Sequence, residues 1–128
     1  MVKYVKERKS KAEVLADFEP LISEWFGGRF ADLTPPQAMA VPLIHAGKNV
    51  LVSSPTGSGK TLTAFLSILN DLFRRAAVGE LEDGVQALYI SPLKALANDI
   101  DRNLKQPLAE MEALAAERGW EFPAVKVA

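Results

Sequence analysis

Residues 53–61 read Ser53-Ser54-Pro55-Thr56-Gly57-Ser58-Gly59-Lys60-Thr61, between the apolar triplet Val50-Leu51-Val52 and an amphipathic stretch that begins at Leu62. Strand, glycine loop and helix are the order that a phosphate-binding loop requires. Glycines let successive backbone N–H groups turn toward an anion with no Cβ in the way. The helix that follows adds the positive end of its dipole. In that setting Lys60 can place a point charge on the β- and γ-phosphates, and Thr61 offers a hydroxyl to a magnesium ion. A glycine-serine run can also be plain turn chemistry, but the contiguous T-G-S-G-K-T in this context favours a nucleoside-triphosphate site. Ser54 stands where the strict Walker pattern has its first glycine, a departure of one position.

The chain has 128 residues, enough for one domain with a core. Its hydrophobic fraction of 48% fits a folded domain. A net charge of −1 gives no global basic footprint, so any nucleic-acid contact must come from a local patch. There is no cysteine, which excludes disulfides and thiolate metal sites and fits a reducing interior. No apolar run approaches the roughly 20 residues that span a membrane. Met1 to Lys11 is lysine-rich without the apolar centre of a signal peptide. The expectation is a cytoplasmic protein.

Residues 1–17 are expected to form a solvated arm or a loose first helix. Pro20 suits a first helical turn, and Leu21, Ile22, Trp25 and Phe26 recur at helical spacing until Gly27-Gly28, where the helix is expected to stop. Thr34-Pro35-Pro36-Gln37 has the form of a capping box opening a second helix, with Pro42 expected to kink it and Gly47 to cap it. Val50 to Ser53 and Val85 to Ile90 read as buried strands of a parallel sheet. Between them Leu62, Phe65, Leu66, Leu69, Leu72 and Phe73 keep one face of a long helix. Leu93, Leu96, Ile100 and Leu104 mark another helix that Pro107 should interrupt. Leu108, Met111, Leu114 and Ala115 continue a stripe to Gly119, and Phe122 to Val127 is expected to be a third strand. Alternating strands and helices give an α/β class with a parallel sheet flanked by helices.

Three further features bear on function. Gln37 is either the acceptor of a capping box or an adenine reader, whose amide donates to N7 and accepts from N6. Both roles use the same oxygen and compete unless the cap opens. Ser91-Pro92-Leu93-Lys94-Ala95-Leu96-Ala97-Asn98 is either an ordinary strand-to-helix turn or a helix start that holds a nucleic-acid phosphate with the help of Lys94. His45, the single histidine, sits near a helix end without a second ligand, as expected of a cap or surface residue. Trp25, Phe26 and Phe30 read as core.

Taken in order, these motifs resemble the first RecA-like domain of superfamily 2 helicases. Thr34 to Gln37 looks like the Q motif. Ser54 to Thr61 matches the A/S-x-T-G-S-G-K-T form of motif I, in which Ser54 is ordinary. Tyr89 to Leu96 looks like motif Ia. Asn98-Asp99-Ile100, Arg102-Asn103-Leu104, Pro107-Leu108 and the upstream Phe18-x-Pro20, Trp25-Phe26 and Phe30 make the chain most similar to the Lhr (large helicase-related) type of DEAD/DEAH enzyme. The resemblance covers residues 18–128 as a partial RecA-like P-loop domain. Leu33 stands where the family often has proline.

The resemblance implies that Gln37 reads adenine, and that Ser54, Thr56, Gly57, Ser58, Gly59, Lys60 and Thr61 hold ATP. Lys60 and Thr61 would have catalytic roles, and Thr61 would ligate Mg2+. Pro92, Lys94 and Asn98 would touch a single or duplex nucleic-acid strand, DNA in the first instance. The implied activity is nucleic-acid-stimulated ATP hydrolysis driving translocation, in the setting of DNA repair. The DExH/D box, the S-A-T motif and a second RecA-like domain with its arginine fingers do not occur in these residues. Asp99 and Asp101 follow motif Ia on a helix and do not replace the box. The expectation is an ATP-binding helicase fragment that is inactive by itself and completed by further domains. The alternatives are a nucleotide- or nucleic-acid-binding module without catalysis and a non-helicase P-loop NTPase.

Overall fold

Helix ends set by particular residues organise the chain. The computed structural model describes residues 1–55, 59–91, 98 and 100–127. Helix α1 (Lys11–Ala16) starts at Ser10, whose hydroxyl accepts the Glu13 N–H at 3.2 Å while the Glu13 carboxylate accepts the Ser10 N–H at 3.1 Å. Helix α2 (Pro20–Arg29) has proline at its first position. It does not stop at Gly27-Gly28 but continues through them to Arg29. Two glycines disfavour a helix by about 1 kcal/mol each, and the burial of Leu21, Ile22, Trp25 and Phe26 on its inner face outweighs that.

Helix α3 (Pro35–His45) begins after Thr34 and runs on through Pro42. A proline at 42 has no N–H for the carbonyl of Ala38. That carbonyl is taken up instead by the backbone N–H of Lys9, at 3.1 Å. The helix ends as expected at Gly47, with φ 78°. Gly47 N–H donates to Ile44 O at 2.9 Å and Lys48 N–H to Leu43 O at 3.0 Å, the paired bonds of a Schellman cap.

Helix α4 (Lys60–Ala77) is the long amphipathic helix, and Leu62, Phe65, Leu66, Leu69, Leu72 and Phe73 are all buried on one side of it. Pro107 does not break the later helix. The backbone makes a π turn over Asp101–Lys105, in which Gln106 N–H reaches Asp101 O, and continues as helix α5 (Gln106–Arg118) with proline in its first turn. The extra residue in the turn removes the need for a bond from Pro107.

Helix α3 packs on α4, α2 on α5, the π turn on α4, and α1 on both α2 and α3. The core joins Val14, Ile22, Phe26, Val41, Leu66, Leu69 and Met111, each at most 1% exposed. Polar ties fix the packing. Trp25 Nε1 donates to Glu110 at 2.7 Å, Arg29 pairs with the same carboxylate at 2.7 Å, and Arg118 pairs with Glu24. Glu19 N–H donates to the buried Asn70 side chain at 2.7 Å, joining the start of α2 to α4.

The expected sheet is not formed among the described residues. Residues 50–55, 85–91 and 121–127 are neither helix nor strand. Leu51, Val85, Leu88 and Ile90 are 89%, 87%, 78% and 84% exposed, where buried strands were expected. A strand exists only through hydrogen bonds to a neighbour, and these three segments do not pair with one another. Side-chain contacts still hold two of them to the helices. Tyr89 lies 4.8 Å from Phe65, ring centre to ring centre, and Phe122 stands edge-on to Phe73 at 5.8 Å. Among the described residues no helix is long and apolar enough to cross a membrane.

His45, expected as a cap or surface residue, is half-buried at the end of α3 and edge-on to Phe18 at 5.2 Å. Its Nε2 is buried with no hydrogen-bond partner among the described residues. Burial is the main cause that holds its pKa below the ordinary 6.5, and Arg74 and Lys9 add to the effect while Asp17 and Asp71 oppose it. The folded state therefore favours the neutral ring. The stability this confers is present above the unfolded pKa and is lost as pH falls through 6.5 toward the lower folded value. Urea unfolding between pH 7.5 and 5.5 should show falling stability in the wild type and a flatter profile in His45→Gln. Equal slopes would contradict this.

Candidate nucleotide site

The site is assembled where the start of α3 meets the start of α4. Gly59 immediately precedes α4 with φ 82°, in the left-handed region that glycine adopts without strain. A Cβ added there would lie 2.9 Å from Gln37 Nε2 and 3.3 Å from Thr34 Oγ1. The last glycine of the phosphate loop thus rests against the threonine and glutamine at the head of α3. Two segments more than twenty residues apart in sequence share one contact, and a Cβ at position 59 would force the Gln37 amide to shift.

Gln37 is 3% exposed. Its side-chain oxygen accepts the Thr34 backbone N–H at 2.9 Å, so the capping role is realised. The Thr34 hydroxyl faces the Gln37 N–H in the box arrangement but too loosely to bond, and Oγ1 is buried without a hydrogen-bond partner among the described residues. Thr34 reads from the sequence as a cap and as part of the Q-motif resemblance, and neither reading predicts its contact with Gly59. Nothing local signals it, because it depends on how α3 crosses α4. The competition expected between capping and adenine reading does not follow from this bond, because the amide oxygen of Gln37 has a second lone pair.

Lys60 opens α4, and its Nζ donates to the backbone carbonyl of Ser54 at 2.6 Å, spanning the mouth of the loop. Lys60 and Thr61 are both half-buried. Thr63 Oγ1 donates to Gly59 O at 2.7 Å, and Thr63 is 2% exposed. This bond ties the first turn of α4 back onto the glycine and holds the helix start in line with the loop. Ser54, Gly59, Lys60 and Thr61 are therefore together, with Gln37 beside them. Thr56, Gly57 and Ser58 lie outside the described residues, as do Pro92 and Lys94. Asn98 is helical and exposed.

A helix N-terminus behind a glycine with positive φ, a lysine bonded to the Ser54 carbonyl and a buried amide beside them are groups that could receive a phosphate. The model of the DEAD/DEAH box helicase family matches residues 34–121, and the chain belongs to that family. It is 47% identical over its whole length to the "ATP-dependent helicase Lhr-Core protein 2" of Thermococcus barophilus, covering 15% of that protein. It is 54% identical over 95% of its length to the "ATP-dependent helicase Lhr-Core" of Methanothermobacter thermautotrophicus, covering 14% of it. The solved structure of Mycobacterium smegmatis helicase Lhr bound to ssDNA and AMP-PNP superposes with a TM-score of 0.73 at 43% identity, over 90% of this chain and 14% of that one. The chain therefore spans about a seventh of the length of these relatives.

Gly59→Ala should cost about 1–3 kcal/mol, because it adds both strain at positive φ and a clash with Gln37. Thermal unfolding and nucleotide titration should both register the loss. Wild-type stability in Gly59→Ala would remove the contact from the account.

Proposed function

We propose that this chain forms the opening part of an ATP-dependent helicase of the Lhr type, which hydrolyses ATP as it moves along a nucleic-acid strand, in the first instance DNA. The observation that carries the reading is the contact of Gly59 with Thr34 and Gln37, because it sets a base-reading amide beside a phosphate-binding loop. In this reading Ser54, Thr56, Gly57, Ser58 and Gly59 surround the phosphates with backbone N–H groups. Lys60 exchanges its bond to the Ser54 carbonyl for a phosphate oxygen, and Gln37 reads adenine while it keeps the Thr34 cap.

The donor set suits magnesium. No group of three or more metal-ligating His, Cys or acidic side chains occurs among the described residues, and Mg2+ uses few protein ligands beside the phosphates and water. Thr61 supplies one hard oxygen there, and the bound ion would neutralise phosphate charge. Pro92, Lys94 and Asn98 contact the sugar-phosphate backbone, which sets position rather than sequence preference. The acids that orient the attacking water come from the rest of the protein, as do the remaining helicase domains.

The same reading completes the sheet. Residues 50–53 and 85–90 become parallel strands when strands from the rest of the protein pair with them, and Leu51, Val85, Leu88 and Ile90 are then buried. Among the described residues they are exposed apolar side chains outside any strand. Leu51→Lys with Ile90→Lys should lower self-association of this chain in sedimentation velocity. Unchanged association would point to another surface.

The direct test of function is ATP turnover by the full-length protein with and without single-stranded DNA. The expected result is turnover stimulated by DNA and reduced about 100-fold or more in Lys60→Ala. Turnover indifferent to nucleic acid would overturn the helicase reading and favour an NTPase of another kind. Normal turnover in Lys60→Ala would remove the site itself.

A further inference from the structure

We propose that Lys11, which belongs neither to the glycine loop nor to the Q motif, is a positioning residue that sets the Gln37 amide for adenine by strapping the chain on both sides of it. The inference rests on the nucleotide reading above. Lys11 Nζ donates to the carbonyl of Phe30 at 2.7 Å and to that of Ala31 at 3.1 Å. Phe30 caps α2, so its carbonyl has no partner within the helix, and an ammonium group there also meets the negative end of the helix dipole. Two residues earlier, Lys9 N–H donates to the Ala38 carbonyl that Pro42 leaves free, at 3.1 Å. Residues 9–11 thus bond to the chain before Thr34 and again just after Gln37.

Phe30 packs on Trp25 and Phe26, and Leu33 on the core. Between the strap and residues 32–35 lies an open depression of about 200 Å³, lined by Lys9, Lys11, Asp32, Leu33, Pro35 and Ala38. The hydrogen bonds of the strap add to the packing of Phe30 and fix the backbone across that gap. The Thr34 N–H in turn holds the Gln37 side-chain oxygen at 2.9 Å. A shift at Phe30 and Ala31 therefore passes through Thr34 to the amide, whereas Lys60 is anchored separately through α4. Lys11 should affect recognition of the base more than binding of the phosphates.

The test measures KM and kcat for ATP and GTP in the full-length protein with single-stranded DNA, for wild type, Lys11→Met and Lys11→Arg. Lys11→Met keeps the side-chain stem and removes the donors. It should raise KM for ATP about tenfold with kcat nearly unchanged and KM for GTP unmoved, so that the preference for ATP collapses. Lys11→Arg, which also donates to two carbonyls, should restore the preference. If Lys11→Met lowers the melting temperature but keeps the ATP/GTP ratio, the strap is structural only and the inference fails. A wild type that does not prefer ATP, while Lys60→Ala still abolishes turnover, overturns the adenine reading and the inference with it.

Discussion

The closest constraint among the described residues is the absence of a side chain at Gly59. Its φ of 82° turns the chain into α4, and the space a Cβ would occupy is held by Gln37 Nε2 at 2.9 Å and Thr34 Oγ1 at 3.3 Å. That close approach sets the distance between the Gln37 amide and the glycine loop. Thr63 reinforces it from the other side by donating to the carbonyl of the same glycine. A glycine that reads in sequence as freedom for a loop acts in the structure as clearance for a second motif.

The proline at position 42 illustrates the same coupling of local and distant chemistry. In isolation it predicts a defect in α3. In the fold the carbonyl it leaves open is used by Lys9, and the N-terminal segment gains a fixed seat beside the Q motif. The arm was legible as a run of charge but not as a strap, because the acceptors at Phe30, Ala31 and Ala38 are backbone atoms that carry no sequence signature. The helix starts at Pro20 and Pro35, the Schellman end at Gly47 and the buried face of α4 were legible, since each rests on interactions within a few residues.

What local reasoning could not supply was the outcome for the strands. Val50 to Ser53 and Val85 to Ile90 carry the apolar composition of sheet interiors, yet a strand is a relation between segments and not a property of one. With no ladder partner among the described residues, Leu51 and Ile90 face solvent while the helical side of the domain is well packed. The two misjudged helix ends have a different cause. Burial of Trp25 and Phe26 carries α2 past its glycines, and a π turn absorbs Pro107. Burial decides the first and the extra residue of the turn the second, where propensity leaves both open.

In the proposed function, the amide of Gln37, buried against Gly59 and held by Thr34, makes the glycine loop select adenine. Calorimetric titration of the full-length protein with ADP and GDP, beside Gln37→Ala, examines that claim without requiring turnover. The account predicts that wild type favours ADP by about tenfold or more, as expected for a bidentate amide contact with a base. Gln37→Ala should bind both nucleotides with similar affinity through the phosphates. An undiminished preference for ADP in Gln37→Ala would contradict it.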